Sequence, residues 1–337
     1  MTQQIKKKRP KAVGMLSGGL DSTLAAKLMM DMGVDVTCLH FIFPWGIQKA
    51  KRVQKIAEDI QVQCEFLNVT YGFIDMIQNA KYGYGSGFNP CVDCRIYNLK
   101  IAKRYMEQIQ ADFVFTGEVL GQRPMSQMRQ SIEIVEKKSG LEGRLLRPLC
   151  ARLLDPTIPE TVGLIDRNRL LDISDRSRKK QKELADYYKI TNFIPTGGGC
   201  LLTEKDFAKR FKDLLRYGVR DFKDVISLQW GRHFRLSDQF KAIAGRDEKE
   251  NDMLLYYANC EDYICEFEIE SGPTVILKGS SPNQEMLQTA ASLVQYYSRY
   301  RNNQPMDVLC WPSKEKAKAF KIKTCALAQN EVENFKT

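Results

Sequence analysis

Histidine is scarce in this sequence, and long hydrophobic runs are absent from it. Only His40 and His233 occur among 337 residues, so a mechanism centred on histidine is not expected. No apolar run approaches the roughly 18 residues that suggest a membrane span, and no hydrophobic region follows the basic opening TQQIKKKRPK. These absences predict a cytoplasmic protein with no membrane partner.

The charge and the cysteine content further limit the class of protein. Lysine and arginine outnumber aspartate and glutamate by 51 to 41, which gives a formal net charge of +10 at pH 7. This excess favours a polyanionic partner, with solubility as the alternative explanation. Ten cysteines in a chain without a secretory signal indicate free thiols, metal ligands or redox chemistry rather than structural disulfides.

Strands and helices alternate in the first two thirds of the chain, whose length predicts two domains. Segments of helical periodicity separate four apolar runs that predict strands, at residues 11–16, 34–41, 62–69 and 112–116. This alternation predicts an α/β fold with a doubly wound parallel sheet.

The pattern changes after about Leu201. A helix around residues 287–294 follows several short predicted strands, at residues 225–228, 232–236, 263–269 and 274–278. This order predicts a second, smaller α+β domain. We place the two domains at residues 1–210 and 211–337.

The stretch SGGLDS, residues 17–22, joins the first predicted strand to the first predicted helix. Two glycines at such a junction let the backbone approach a ligand and turn its amides inward, and the helix N-terminus adds positive charge. The junction therefore suits a phosphate group. It is not a Walker-type loop, because no Lys-Ser or Lys-Thr follows the glycines. An ordinary glycine turn capped by Asp21 or Ser22 is the alternative.

Three cysteines stand beside turns. Cys91 and Cys94 form a Cys-x-x-Cys pair in NPCVDC, and Cys200 follows the glycines at 197–199. We favour a [4Fe-4S] cluster held by all three, with one iron open to a further ligand. Persulfide chemistry, in which one thiol carries sulfur and another resolves it as a disulfide, is the second option. The third option is a zinc site or unreactive thiols. A structural zinc site usually has four ligands, and the sequence offers no second Cys-x-x-Cys pair and no nearby histidine to complete one.

Several motifs resemble those of sulfur-inserting enzymes over residues 12 to about 210. SGGLDS is similar to the SGGxDS loop of PP-loop ATPases, and FNPCVDCR and GGGCLLT resemble the cysteine segments of tRNA 2-thiouridylases. TGEVLGQRPMSQ resembles the TGExLGQxxSQ stretch of tRNA 4-thiouridine synthetases. The resemblance implies a PP-loop, HUP-like ATPase that cleaves ATP between the α and β phosphates with Mg²⁺.

The same resemblance implies roles for individual residues. The residues implied to hold pyrophosphate, with Asp21 acting through Mg²⁺, are Ser17, Gly18, Gly19, Asp21 and Ser22. Ligands sit beyond the carboxyl ends of parallel strands. We therefore expect further ATP contacts from the strand-end residues, which are His40, Phe41, Thr116 and Gly117, with Glu118 and Gln122 beside them. A packed strand end or a plain turn is the alternative at each of these positions.

The second domain resembles the RNA-binding portion of the NFACT family over roughly residues 220–310. The similar stretches are GRHFRLSDQFKAIAGRDEKEND, SGPTVIL and AASLVQYYSRYR. The resemblance implies binding to tRNA or the ribosome. We expect cations for phosphates and flat rings for bases from Arg232, His233, Phe234, Arg235, Lys241, Arg246 and Lys249. A solvated charged face above core aromatics is the alternative.

Together these features predict an ATP-dependent tRNA sulfurtransferase. A uridine carbonyl is adenylated, and sulfur then displaces AMP, with Asp21, Cys94 and Cys200 as catalytic residues and Cys91, Cys94 and Cys200 as cluster ligands. The predicted partners are tRNA and a sulfur donor, either sulfide or a persulfide carrier, and a homodimer is one option. The alternatives are a PP-loop ligase acting on a small molecule and a non-catalytic factor that binds tRNA or the ribosome.

The sequence departs from the 4-thiouridine synthetases at its ends. About ten residues precede the first predicted strand, so we expect no N-terminal RNA-capturing domain, and no rhodanese-like sulfur donor is recognisable near the C-terminus. The modified uridine and the ring position that receives sulfur therefore stay open.

Overall fold

The chain divides into two compact units, Met1–Thr203 and Glu204–Thr337. A computed structural model describes residues 9–174, 176–195, 200–219, 221–302 and 304–337. The helix Lys205–Tyr217 belongs to the second unit. The assignment of functions to residues 1–210 and 211–337 stays a prediction.

The first unit is built around a parallel sheet. Its strands are β1 Lys11–Met15, β2 Asp35–Ile42, β3 Gln63–Asn68, β4 Phe113–Thr116 and β5 Leu145–Leu146. Its α-helices are α1 Leu20–Asp31, α2 Ile47–Asp59, α3 Thr70–Gln78, α4 Cys91–Gln108, α5 Arg129–Ser139, α6 Ile158–Thr161 and α7 Lys179–Tyr187. The strand order is β3-β2-β1-β4-β5, and all four neighbouring pairs are parallel. The predicted α/β fold with a doubly wound parallel sheet is confirmed.

Helices cover both faces of this sheet, because successive side chains of a strand point to opposite sides. In β1, Ala12 belongs to the apolar cluster that includes Leu24 and Met29 of α1. The next residue, Val13, belongs to the cluster on the other face, with Leu99 and Met106 of α4. The short apolar run KAVGM is therefore buried on both sides, as a central parallel strand requires.

The second unit pairs an antiparallel sheet with helices. Its strands are β6 Arg232–Arg235, β7 Lys241–Ala244, β8 Tyr263–Phe267, β9 Val275–Lys278, β10 Met306–Pro312 and β11 Phe320–Thr324. Its α-helices are α8 Lys205–Tyr217, α9 Phe222–Ser227, α10 Glu248–Tyr257, α11 Gln284–Tyr296 and α12 Gln329–Phe335. The strand order is β11-β10-β8-β9-β7-β6, and buried residues of α11 pack against the sheet. The predicted second α+β domain is confirmed.

One predicted strand is wrong. Residues 225–228 form the end of α9 and its C-cap, because Asp221 caps the helix by accepting a hydrogen bond from the Lys223 backbone amide at 3.2 Å. A short apolar run suits a buried helix as well as a strand, and here the capping residue decides. Within the described part of the chain, no helix has the length and apolar content needed to cross a membrane.

Candidate nucleotide and thiol site

The candidate site lies beside β1, at the topological switch point of the sheet, where the chain connections lead to opposite sides of this strand. From β1 the chain continues to β2 on one side, whereas β4 lies on the other. A crevice at the carboxyl ends of the strands is the usual ligand site of such sheets. Residues 17–19 follow β1, and Gly117 follows β4, so the structure brings the two predicted loops to this crevice.

Glycine is needed at position 18 for both conformation and space. Gly18 has a φ of 79°, in the left-handed region, and a Cβ there would lie 2.7 Å from Val53 and 2.9 Å from Ile194. Its carbonyl accepts a hydrogen bond from the Ile194 amide at 2.8 Å. The loop is thus fixed on one side by packing, and its other side leads directly into α1, whose N-cap is Gly19.

The two serines of SGGLDS brace the loop internally. The hydroxyls of Ser17 and Ser22 lie 3.1 Å apart, and the Ser17 amide donates to the Ser22 hydroxyl at 3.2 Å. Ser22 donates in turn to the Gly19 carbonyl at 2.9 Å. These bonds hold the first turn of α1 against the end of β1, which keeps the helix N-terminus directed at the crevice.

Asp21 is held by a chain of two glutamine side chains. Gln122 donates to Asp21 Oδ2 at 2.7 Å, and the fully buried Gln181 of α7 donates to Gln122 Oε1 at 3.0 Å. The other carboxylate oxygen of Asp21, Oδ1, is buried and has no hydrogen-bond partner among the described residues. A fixed carboxylate with one unused oxygen fits the ligand preference of Mg²⁺, so this residue suits the predicted metal-phosphate contact.

The end of β4 contacts the start of α1 closely. A Cβ on Gly117 would lie 2.5 Å from the backbone of both Asp21 and Ser22, so only glycine allows this approach. Thr116 is buried and donates to Glu118 Oε2 at 3.1 Å. These residues therefore support the loop, and direct ATP contacts from Thr116 and Gly117 stay predictions.

His40 and Phe41 are both buried in β2. The Nδ1 atom of His40 bonds to the Leu16 carbonyl at 2.8 Å, and its ring packs edge to face on Phe66. Burial lowers the pKa of His40 below its usual value, so the ring is neutral at pH 7. His40 thereby positions the residue before SGGLDS, and its predicted contact with adenine, like that of Phe41, stays a prediction.

A buried carboxylate joins this region to the cysteine helix. Glu118 lies 3.4 Å from Arg95 Nε and 3.1 Å from Arg147 Nε. Burial alone would raise the pKa of Glu118, but the charges of Arg95 and Arg147 and hydrogen bonds from Arg147 and Thr116 lower it. Glu118 is therefore ionised and holds cations from two elements.

Two of the three predicted thiols begin α4. Cys91 accepts a hydrogen bond from Asn89 Nδ2 at 3.1 Å, and Cys94 accepts one from Asn98 Nδ2 at 3.6 Å. The pKa of Cys94 is raised to about 12, chiefly by burial and to a smaller extent by the charges of Cys200 and Cys91, while Arg95 and the hydrogen bond from Asn98 oppose the rise. The three thiols thus lie within electrostatic reach of one another. The glycines at 197–199 lie outside the described residues.

Two cations that the sequence analysis missed stand near Cys200. Lys49, Arg123 and Cys200 each expose a large fraction of the side chain. Even so, surrounding protein raises the pKa of Cys200 to about 11, against the opposing charges of Lys49 and Arg123. Burial by the surrounding protein also lowers the pKa of Lys49 and that of Arg123. Groups that are open to solvent yet enclosed by protein line a concave site.

Arg123 connects the two parts of the site. Its guanidinium interacts with the charges of Asp21 and Cys91, and also with those of Arg95 and Arg178. The only signal in the sequence is its place inside TGEVLGQRPMSQ, at a variable position of the resembling pattern. Its spatial neighbours come from distant parts of the chain, so local spacing could not identify it.

The predicted cluster finds no support in the described residues. They contain no group of three His, Cys, Asp or Glu side chains arranged to hold a metal ion. The cluster is therefore unsupported, and the role of Cys91, Cys94 and Cys200 as its ligands stays a prediction. Thiol chemistry remains open to them.

Three of the seven predicted RNA-binding residues of the second unit are unsuited to that role, whereas Arg246 and Lys249 are exposed and their role stays a prediction. His233, Phe234 and Lys241 are buried, and Lys241 donates to Asp213 at 2.7 Å. Burial lowers the pKa of His233 well below its usual value. The expectation of stacking rings at His233 and Phe234 is wrong, because both are buried: Phe234 belongs to the apolar core, and His233 Nε2 bonds to the Trp230 carbonyl at 2.8 Å.

The parallel sheet with SGGLDS at its switch point defines an α/β domain of the PP-loop type, joined to an antiparallel α+β domain. Residues 8–155 match the family model described as "Thiamine biosynthesis protein (ThiI)". Residues 231–336 match the model described as "NFACT protein RNA binding domain". Both suspected resemblances are confirmed by these two matches, which cover separate segments of the chain.

Curated relatives carry the name "Probable tRNA sulfurtransferase". The chain is similar to the one from Finegoldia magna, at 31% identity over 41% of this chain and 35% of that protein. It is similar to the one from Acholeplasma laidlawii at 25% identity, over 64% of this chain and 51% of the relative. The chain spans about a third to a half of the length of these relatives.

Solved structures show more distant likeness. The NH3-dependent NAD synthetase from Campylobacter jejuni has a TM-score of 0.33 and 15% identity, over 66% of this chain and 84% of that chain. The C-terminal part of the fibronectin/fibrinogen-binding protein from Streptococcus suis has a TM-score of 0.29 and 12% identity, over 79% of this chain and 96% of that chain. Both scores are below 0.5, so no inference is drawn from them.

Proposed function

We propose that this chain is an ATP-dependent tRNA sulfurtransferase that converts a uridine carbonyl into a thiocarbonyl. The observation that carries the proposal is the ion pair of Glu118 with Arg95 at 3.4 Å, because Glu118 follows the glycine that contacts Asp21 and Arg95 follows Cys94. The phosphate loop and the thiols therefore share one neighbourhood, which a reaction between an activated base and sulfur needs. The names of the relatives and the RNA binding domain support tRNA as the substrate.

In the first step the uridine carbonyl oxygen attacks the α-phosphorus of ATP, and the bond from that phosphorus to the bridging oxygen breaks. Pyrophosphate leaves toward residues 17–22, where the N-terminus of α1 and the cations Lys49 and Arg123 stabilise its charge. Asp21 Oδ1 would hold Mg²⁺, which supplies neutralisation of the phosphate charge when it is bound. The base is left as an O-adenylated electrophile.

In the second step the terminal sulfur of a persulfide on Cys200 attacks the adenylated carbon, and AMP leaves with the former carbonyl oxygen. A second thiolate then attacks the Cys200 sulfur, which breaks the sulfur-sulfur bond, releases the thiouridine and leaves a protein disulfide. A dithiol reductant returns the disulfide to two thiols. A persulfide carrier then reloads Cys200.

The second thiol comes from the pair at the start of α4. Cys94 is the residue predicted from the sequence, but its pKa of about 12 leaves little thiolate at neutral pH. Cys91 accepts a hydrogen bond from Asn89 Nδ2 at 3.1 Å and is the first residue of α4, so it is the second candidate. Comparison of Cys91→Ala with Cys94→Ala assigns the role.

The test uses purified full-length chain with tRNA, ATP, Mg²⁺, a persulfide donor and a dithiol, and it measures pyrophosphate and thionucleoside separately. Asp21→Ala should lose both products. Cys200→Ala should keep pyrophosphate release and lose the thionucleoside, whereas the control Cys260→Ala, at an exposed cysteine of the second unit, should keep both. Equal thiolation by Cys200→Ala would contradict the role of Cys200.

The same assay separates the alternative functions. Pyrophosphate release that is independent of tRNA, but dependent on a small acceptor, would favour a ligase. Binding of tRNA without pyrophosphate release would favour a non-catalytic factor. Mass spectrometry of tRNA nucleosides from a strain lacking the protein identifies the product, since one thionucleoside should disappear.

A further inference from the structure

One face of α8 in the second unit is strongly basic. Lys209, Lys212 and Arg216 follow the i, i+3, i+7 spacing of a single helix face, and all three are exposed. The opposite face is buried, and it consists of Phe207, Ala208, Phe211 and Leu214. The apolar face anchors the helix in the core of the unit, so the three cations are held toward solvent.

These cations border a groove of about 350 Å³. Its other lining cations are Arg235, at the end of β6, and Lys336, after α12. The lining thus includes five cationic side chains and one acidic side chain, Asp213; Arg235 is paired with Asp213 and Lys336 with Glu333, so the unbalanced charge comes from α8. Lys209 Nζ donates to the Lys336 backbone carbonyl at 3.3 Å, which connects the two sides of the groove.

The single acid of the groove is already neutralised. Asp213 accepts hydrogen bonds from Arg235 at 3.1 and 2.8 Å and from the buried Lys241 at 2.7 Å. Burial would raise the pKa of Asp213, but these two cations lower it. The guanidinium of Arg235 also stacks on Tyr217 at 4.3 Å from the ring centroid. Arg235 is therefore fixed in place, and the groove keeps a positive charge.

We propose that this groove binds the phosphodiester backbone of single-stranded RNA, and specifically of the tRNA substrate. The inference rests on the proposed function for the identity of the RNA. From Lys209 to Arg216 the helix rises by about 10 Å, so the three cations can meet more than one phosphate. Backbone contacts of this kind are sequence-independent and salt-dependent.

The groove extends beyond the part of the chain that the RNA binding family model covers. That match spans residues 231–336, whereas Lys209, Lys212 and Arg216 precede it. The cations inside the match that sequence reasoning selected include Lys241, which is buried, and Arg246, which is paired with Glu250. Helix α8 therefore adds three exposed cations to those of the matched segment, where Arg246 and Lys249 are exposed.

The test compares two triple variants of the full chain with the same change in charge. The groove variant is Lys209→Gln, Lys212→Gln and Arg216→Gln. The control variant is Lys314→Gln, Lys318→Gln and Lys323→Gln, at exposed lysines of the same unit away from the groove lining. Fluorescence anisotropy with a labelled 12-nucleotide oligouridylate and with tRNA, between 50 and 200 mM salt, gives the affinity and its salt slope.

Each phosphate contact contributes about 0.7 to the slope of log K against log salt for a single strand. Loss of three contacts should therefore lower the slope by about 2 in the groove variant and weaken binding at least tenfold at 50 mM salt. The control variant should change far less. A charge-preserving variant, Lys209→Arg with Lys212→Arg, should bind like the unchanged protein and shows that substitution itself does not unfold α8.

Equal loss in the groove and control variants would overturn the proposal, since only net charge would matter. Full competition by millimolar inorganic phosphate would also overturn it, because the groove would then be a site for small anions. Failure of the proposed function is a different result. If tRNA binds through the groove but no pyrophosphate or thionucleoside forms, the proposed sulfurtransferase function is contradicted, whereas the proposal that the groove binds RNA is supported.

Discussion

Replacement of Gly117 by alanine should disable the phosphate loop through a single steric contact. The added Cβ would lie 2.5 Å from Asp21 and Ser22 backbone atoms, whereas ordinary contacts begin at 3.4 Å. The start of α1 must therefore move by about 0.9 Å, the difference between these distances. The φ of Gly117 lies outside the left-handed region, so the contact and not backbone strain causes the effect.

The magnitude follows from the cost of overpacking. Forcing an extra carbon into a close-packed site costs typically about 1–3 kcal/mol. A cost of about 2 kcal/mol should lower the Tm by roughly 4–8 °C for a unit of this size. The same shift displaces Asp21 from the phosphates, and misplacement by about 1 Å can cost about 100-fold in rate. Pyrophosphate release should fall by that order, as a coupled assay would measure.

Gly33→Ala is the matched control. Gly33 has a φ of 83° in open space, with no atom within 4 Å of an added Cβ. Alanine at position 33 is destabilised only by the strain of the left-handed conformation, which costs about 1–2 kcal/mol. The position is at the end of α1, far from the N-terminus of the helix. It should lower Tm to a similar extent and keep pyrophosphate release. Full activity of Gly117→Ala, or equal loss by Gly33→Ala, would refute the steric reasoning.

Three further predictions concern buried polar groups. Gln181→Leu leaves Gln122 Oε1 without its donor and should lower the free energy of unfolding by about 1–3 kcal/mol. Because Gln122 holds Asp21, pyrophosphate release should also require a higher Mg²⁺ concentration, which a magnesium titration measures. Arg147→Met leaves Glu118 without its buried partner and should cost about 3–5 kcal/mol by urea unfolding, part of which Glu118→Gln should recover. Burial lowers the pKa of His233, so the unfolded chain gains a proton near pH 6.5 that the folded unit does not bind. Stability should be complete above that pH and fall below it, and His233→Gln should flatten this profile in thermal melts between pH 5 and 7.5.

The fold of the first unit could be predicted because the sequence patterns that indicate its strands and helices are local. The run KAVGM, the glycine junction and the helical periodicity of α1 follow one another without interruption, so the pattern and the fold agree. The site cations Lys49 and Arg123 could not be predicted in this way. They are 74 positions apart in the sequence, and only the packing of the sheet brings each within reach of Cys200.

In the second unit the sequence pattern misled for a physical reason. Basic residues interleaved with His233 and Phe234 resemble a nucleic-acid surface, yet these two adjacent side chains point to opposite faces of β6, and both faces are covered there. Lys241 is buried because Asp213, 28 residues away on α8, supplies its counter-charge. No spacing rule reveals such a pair. The basic face of α8 was visible as helical periodicity, but it stands outside the resembling segment.

Glu118 explains how the nucleotide and thiol parts of the site keep a fixed relation. Its carboxylate accepts from Thr116, beside the glycine that touches Asp21, and pairs with Arg95, which follows Cys94 in α4. An apolar side chain at position 118 would leave the buried guanidinium of Arg147 without this partner. Only a carboxylate can hold donors from β4 and α4 and also the guanidinium of Arg147. A shift at the end of β4 should therefore reach the turn that carries the cysteines, so both steps of the proposed reaction should depend on one buried charge.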